Sequence, residues 1–200
     1  DLSNLHRQIL HDSDRVGTPK LESARSRVAA INPHVEIIEH SGYFNAHNCL
    51  AIVKDYDLIL DGSDNFPTRF CANDAAFFLK KPLIHGAIFQ FEGQVTVFAP
   101  IWGGPAIAVS FQSLRQKGGA HMSEGGVLGV LPGIIGSLQA MEAIKLLAGL
   151  GSPPLGRLVH YRALNTSFRE IKIKPDPSCP LCGSSPTITA PVAYPEKSCD

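Results

Sequence analysis

Hydrophobic and polar positions alternate along the chain in two distinct periods. LESARSRVAAI runs at helical spacing until Asn32-Pro33 stops it, and Thr18-Pro19-Lys20 opens that helix, with Thr18 as its cap and Pro19 in its first turn. VEIIE (Val35–Glu39) is short and β-branched, which predicts a strand, and Asn45 is placed to cap a helix through Lys54. DLIL (Asp57–Leu60) is a short apolar run ending in the polar turn DGSDN, the pattern of a buried parallel strand feeding a loop. Phe66–Lys80 reads as a helix, PLIHGAI (Pro82–Ile88) as a buried strand, and GQVTVFAP (Gly93–Pro100) as an alternating strand that pairs with it. Gly103–Gly126 has no clean period and reads as a long loop. Val127–Leu150 is apolar with a strong helical stretch ended by Gly149 and Gly151. RLVHYRAL and SFREIKIK predict a late hairpin, and little regular structure is expected after Pro175. Strand and helix in alternation predict an α/β fold on an open, largely parallel sheet, with ligands at the carboxyl ends of its strands.

Composition narrows the class of protein. Two hundred residues at 44% hydrophobic and 18% charged are enough for one domain of ordinary core size. Eighteen Lys+Arg balance eighteen Asp+Glu, which argues against binding nucleic acid or an anionic membrane by bulk charge. No uncharged span of eighteen residues looks like a membrane helix, and DLSNLHRQIL lacks the apolar segment of a secretory signal. Five cysteines are too few and too uneven for a disulfide scaffold, so a reduced, cytoplasmic setting is expected.

Three constellations carry candidate chemistry, and each has a plainer reading beside it. In DGSDN, Asp61 and Asp64 lie in a turn after a strand and suit Mg²⁺; the same residues also serve as turn formers and helix caps. In SNLHRQ, Arg7 offers a planar fork for phosphate, with Ser3 and Asn4 beside it; a solvated helix start fits equally. Lys20 stands at the helix end its own dipole disfavours, which makes sense beside a bound anion or as a simple surface lysine. CPLCG supplies Cys179 and Cys182, half of a four-ligand zinc site; His121, His160 and Cys199 are candidates to complete it without diagnostic spacing.

SNLHRQ, VGTPKLESARSRVAAINP, DLILDGSDNFPTRFCAND, GQVTVF, EGGVLGVLPGIIGSLQAMEAIKLLAG and CPLCG, in that order, resemble the MoeB/ThiF family across about residues 1–183. Within it the chain looks closest to the molybdopterin-synthase adenylyltransferase branch, relatives of the ubiquitin-activating enzymes. The resemblance implies a Rossmann-like domain over residues 1–174, a tail over 175–200, and a homodimer. It implies binding of ATP, Mg²⁺ and the Gly-Gly tail of a ubiquitin-like sulfur-carrier protein (MoaD/ThiS-type). The carrier's carboxylate attacks the α-phosphate, giving an acyl-adenylate and pyrophosphate, so catalysis is positioning and charge neutralisation. Carried onto matching positions, Ser3, Asn4 and Arg7 contact nucleotide and phosphates, and Lys20 neutralises phosphate charge. Asp64 holds Mg²⁺, Asn65 flanks the nucleotide, and Asp61 is supporting or structural.

The chain departs from the family pattern at three places. The Gly-rich phosphate loop and the ribose-binding acidic residue are expected upstream of Asp1. Where the family reads roughly GPCYRCLFP, this chain has GPAIAVSFQ, so Ala106 and Val109 replace two zinc-ligating cysteines. Zinc is therefore expected to be weak or absent, and the tail from about Pro175 loosely ordered. A cysteine of the crossover loop, an acyl acceptor in some relatives, is Met122 here. One lost base in the Pro codon would turn the family motif into GPAIAVSF, so Ala106–Ser123 reads as a frame-shifted patch. Two other functions compete: a catalytically silent dimerisation or carrier-binding module of the same fold, and an NAD(P)-dependent oxidoreductase.

Overall fold

A computed structural model of the chain describes residues 2–99 and 126–194, so the expected loop at 103–126 up to its last residue, with Ala106, Val109, His121 and Met122, lies outside the described residues, as does Cys199. The chain divides into two compact units, Asp1–Tyr43 and Phe44–Asp200. In the first, α1 (Lys20–Ile31) begins one residue later than expected, with Pro19 at the cap position rather than in the first turn. Thr18 does not cap it: its hydroxyl donates instead to Arg15 O at 2.8 Å, closing the preceding turn. His11 Nδ1 and Arg15 Nη2 reach Ser23 Oγ (2.9 Å) and Ser26 Oγ (2.8 Å), tying the leading segment to the helix. The strand expected at Val35–Glu39 does not form. A strand exists only by pairing, and Val35, Ile37 and Ile38 stand exposed while Glu39 instead meets Arg25 at 3.0 Å.

In the second unit five strands lie in chain order: β1 (Ile59–Asp61), β2 (Leu83–Phe89), β3 (Glu92–Phe98), β4 (Arg157–Arg162) and β5 (Ser167–Lys172). The α/β class holds, but the described sheet is mixed rather than largely parallel. Only β1 and β2 run parallel; the other three pairs are antiparallel. Connection length explains it. α3 (Phe66–Phe78) crosses between β1 and β2, whereas β2 and β3 pair Phe89 directly with Glu92 around a two-residue turn at Gln90-Phe91, which permits only the antiparallel arrangement.

Side chains alternate across this sheet with period two. Leu83 and Phe98 face α3, against Phe70, Ala72 and Ala76. Ile84, Val95 and Val97 face the other way, against Leu131, Ile135 and Ala143 of α4 (Leu131–Ala148). α4 starts five residues ahead of the helical stretch GSLQAMEAIKLLAGL, with Pro132 in its first turn, while Val127 forms an isolated parallel bridge with Gln90. It ends as expected at Gly149, in the left-handed conformation. By length and composition α4 could span a bilayer. It carries an ion pair, Lys145 with Glu142 at 2.7 Å, and lays one face on the sheet. The helix expected from Asn45 is shorter, α2 (Cys49–Val53); the Asn45 side chain accepts from His47 N at 2.9 Å and holds a turn ahead of it.

After Ile173 the described tail has no helix or strand, as expected, yet it is not loose. Cys179 and Leu181 are fully buried against Phe77 and Phe78 of α3. Tyr194 donates to buried Asp74 at 2.8 Å and lays its ring 5.1 Å from Phe70. Apolar burial fixes a segment without regular hydrogen bonding. Leu181→Ala, which leaves a cavity under this segment, is expected to cost about 2–5 kcal/mol in denaturant unfolding and to open residues 175–194 to a broad-specificity protease. Unchanged stability and cleavage would show that the tail is not anchored here.

Candidate functional site

β1 and β2 are parallel, and their register places Asp61, at the carboxyl end of β1, beside His85, the third residue of β2. This is where open α/β sheets bind ligands. Asp61 is buried, and His85 Nδ1–H donates to its Oδ2 at 2.7 Å. Ser63 donates to Oδ1 twice, from its amide at 2.9 Å and its hydroxyl at 2.6 Å. Arg69, from α3, lies 3.9 Å from Oδ2 and sends Nε and Nη2 to Ser63 O at 3.2 and 2.6 Å. From the opposite face Gln139 Nε2 donates to the main-chain oxygens of Asp61 (2.8 Å) and Ile84 (3.1 Å). Burial pushes the Asp61 carboxyl up, but the His85 and Ser63 hydrogen bonds and the charges of His85 and Arg69 outweigh it, leaving the group below the ordinary carboxylate range.

The two carboxylates of DGSDN are thus sorted by environment. Asp61 is enclosed. Asp64 is exposed at the end of the same loop, with Asn65 Nδ2 at 3.4 Å from its Oδ1. Asn65 Oδ1 accepts from Thr68 N at 2.9 Å and caps α3. Beside the loop opens a cavity of about 360 Å³, walled by Phe44, Ile52, Tyr56 and Leu58, with Asp61, Gly62 and Ser63 at its polar end. Apolar walls with a few convergent polar groups are the usual build of a small-molecule site.

In the first unit the structure brings Ser3, Asn4 and Arg7 together. Arg7 Nη2 donates to Asn4 Oδ1 at 2.9 Å and Nη1 to Ser3 O at 3.3 Å, which holds one edge of the guanidinium. Lys20 is exposed at the first residue of α1 and lines a shallow depression with His11 and Arg15. In the second unit, among the described residues, no group of three metal-ligating side chains assembles. Cys179 and Cys182 lie in the tail turn, while His160, on β4, bonds Glu92 at 3.2 Å. Two thiols without further described ligands do not fit a closed zinc site.

Sequence reading missed His85, Arg69 and Gln139. Each had a signal: a lone histidine inside the apolar run PLIHGAI, an arginine in the helix after DGSDN, and a lone amide on an apolar helical stripe.

A mixed sheet with helices on both faces, and a carboxylate loop at the end of its parallel pair, define an α/β protein whose candidate site lies at the strand carboxyl ends. The ThiF family model matches residues 1–181, and the chain belongs to that family. It is 45% identical to a sulfur carrier protein adenylyltransferase of Thermus thermophilus, covering 97% of this chain and 73% of that one. It is 42% identical to the SAMP-activating enzyme E1 of Haloferax volcanii, over 90% of this chain and 67% of the relative. It is 41% identical to an adenylyltransferase and sulfurtransferase MOCS3 of Drosophila sechellia, of which it spans 43%. Among solved structures, Escherichia coli MccB with ATP matches 92% of this chain and 56% of its own at a TM-score of 0.74 and 17% identity, a likeness of fold.

The depressed Asp61 predicts a pH signature. Its ionised form is favoured in the folded state, so its contribution is present above the unfolded carboxylate range, about pH 4, and is lost as pH falls through the lower folded value. Asp61→Asn is expected to lower stability at neutral pH and to flatten the acid limb of stability against pH. An acid limb as steep as wild type would show that Asp61 is not what titrates.

Proposed function

We propose that this chain adenylates the C-terminal glycine of a ubiquitin-like sulfur-carrier protein, of the MoaD/ThiS type, at the expense of ATP. Family membership over residues 1–181 and the names of its relatives support the reaction class. The observation that carries it onto residues is the sorting of the DGSDN carboxylates: Asp61 is locked into the fold, and Asp64 is left exposed on the loop whose residues Asp61, Gly62 and Ser63 line a cavity. A carrier carboxylate oxygen attacks the α-phosphorus, the bond to the pyrophosphate oxygen breaks, and the acyl-adenylate forms without an enzyme nucleophile. The chain's contribution is then placement and charge. Arg7, oriented by Asn4 and Ser3, and Lys20 supply cations for the phosphates. Asp64 is the residue that would hold Mg²⁺, a hard cation suited to one carboxylate plus phosphate oxygens, and when bound it would neutralise phosphate charge.

Zinc, by contrast, is proposed to be weakly held at most, because Ala106 and Val109 stand where the family pattern has two further cysteines beside Cys179 and Cys182. The proposed setting is cytoplasmic. It is supported by cysteine usage: five cysteines, unevenly spaced over two hundred residues, do not make a disulfide scaffold.

The proposed assembly is a homodimer. The side of α4 away from the sheet exposes Met141, Ile144 and Leu147, with Leu150 just beyond the helix, an apolar stripe that a second copy would cover. Sedimentation of the full-length protein at micromolar concentration is expected to give a dimer, and a monomer overturns this.

ATP–pyrophosphate exchange in the presence of the carrier tests the reaction. Asp64→Ala is expected to abolish exchange with folding intact, and Arg7→Ala to slow it on the order of 10²-fold, as for loss of one preorganised donor. Near-normal exchange in both variants would sink the assignment. Carrier binding without exchange in the wild type would leave only a binding module.

A further inference from the structure

Along the face that α4 lays on the sheet, Leu131, Ile135, Gln139 and Ala143 are buried at four-residue spacing, and Gln139 is the one polar member. Leu or Met would fill that position at no cost in buried hydrogen-bonding groups. Gln139 instead reaches across two strands and donates to Asp61 O on β1 at 2.8 Å and Ile84 O on β2 at 3.1 Å. The sheet makes room for it: a Cβ on Gly86 would stand 2.3 Å from the Gln139 carboxamide. A glycine in the middle of a strand, facing the only buried amide of the helix, is an arrangement for reaching carbonyls rather than for packing.

Asp61 O belongs to the peptide on which the loop to Asp64 begins. The loop is therefore anchored at both ends from different layers, by Gln139 at the peptide after Asp61 and by Arg69 at the peptide before Asp64. We propose that Gln139 is a positioning residue: it fixes the main chain at Asp61-Gly62 so that Asp64 is presented in one orientation, which ties the geometry of the site to α4. Its bearing on catalysis rests on the adenylation reading above.

The test uses the full-length protein and Gln139→Met, which keeps length and apolar fit but removes both donors. Deuterium exchange followed by mass spectrometry is expected to show the 62–65 amides exchanging about tenfold faster, with α4 peptides unchanged, because only a local opening is eased. ATP–pyrophosphate exchange is expected to lose about tenfold in kcat with KM for ATP held, the split left by misplacing a group that acts in the transition state. A merely structural amide would lower thermal stability and leave kcat per folded molecule alone. Should Gln139→Met fold poorly, Gln139→Ala with Gly86→Ala removes the donors while the new methyl fills part of the vacated space. Loop amides exchanging at the wild-type rate overturn the clamp whatever the activity, and a loosened loop with unchanged kcat overturns its bearing on catalysis. A wild type without ATP–pyrophosphate exchange overturns the adenylation reading, and the catalytic part of this inference with it.

Discussion

A carboxylate buried at the end of a strand is the constraint on which the second unit is organised. Removing Asp61 from water is costly unless its charge and both oxygens are met, and no single element can meet them. β2 answers with His85, the following loop with both donors of Ser63, and α3 with the Arg69 guanidinium. α4 takes the main-chain oxygen of the same residue through Gln139. Sheet, both covering helices and loop are thereby fixed to one residue, and a displacement of any layer leaves a buried charge or a buried donor unmet. Hydrophobic contact alone would let those layers slide by fractions of an ångström; hydrogen bonds of 2.6–2.9 Å do not.

That arrangement also explains how two aspartates three residues apart take opposite parts. Everything that stabilises ionised Asp61 turns its oxygens inward, and the short turn Gly62-Ser63 then carries Asp64 out to the surface. Arg69 bonds the Ser63 oxygen and so fixes the peptide that leads into the exposed Asp64. A rigid, inward-facing acid thus presents a second, outward-facing one on a loop whose main chain is held from both faces of the sheet.

Much of this was legible in the chain, and what was not has a common cause. The short apolar runs gave β1 and β2, the alternation of GQVTVF gave β3, and RLVHYR with SFREIK gave the last hairpin, because each is decided by local burial and turn chemistry. Gly149 ended α4 where a left-handed residue was needed. Val35–Glu39 failed because β-branching makes a strand only when an edge is there to receive it. The loop acids were visible as acids, but their sorting was not, since His85 lies 24 residues from Asp61 and Gln139 lies 78 away. A histidine in an apolar run and a glutamine on an apolar helix mark that a polar partner exists without saying which.

The tail shows the same logic with the opposite outcome for the sequence reading. Loss of two cysteines elsewhere implied a segment without an anchor, on the premise that metal orders it. Leu181 and Cys179 instead sit fully buried on Phe77 and Phe78, Gly183 N closes the turn on Cys179 O at 2.9 Å, and Tyr194 holds Asp74. A Cβ at Gly183 would come within 2.4 Å of Pro177 O, so the turn that carries the two thiols is itself tightly closed. A thiol pair held by packing keeps its shape whether or not other ligands arrive. The fold of the segment therefore rests on apolar contacts that a metal does not supply.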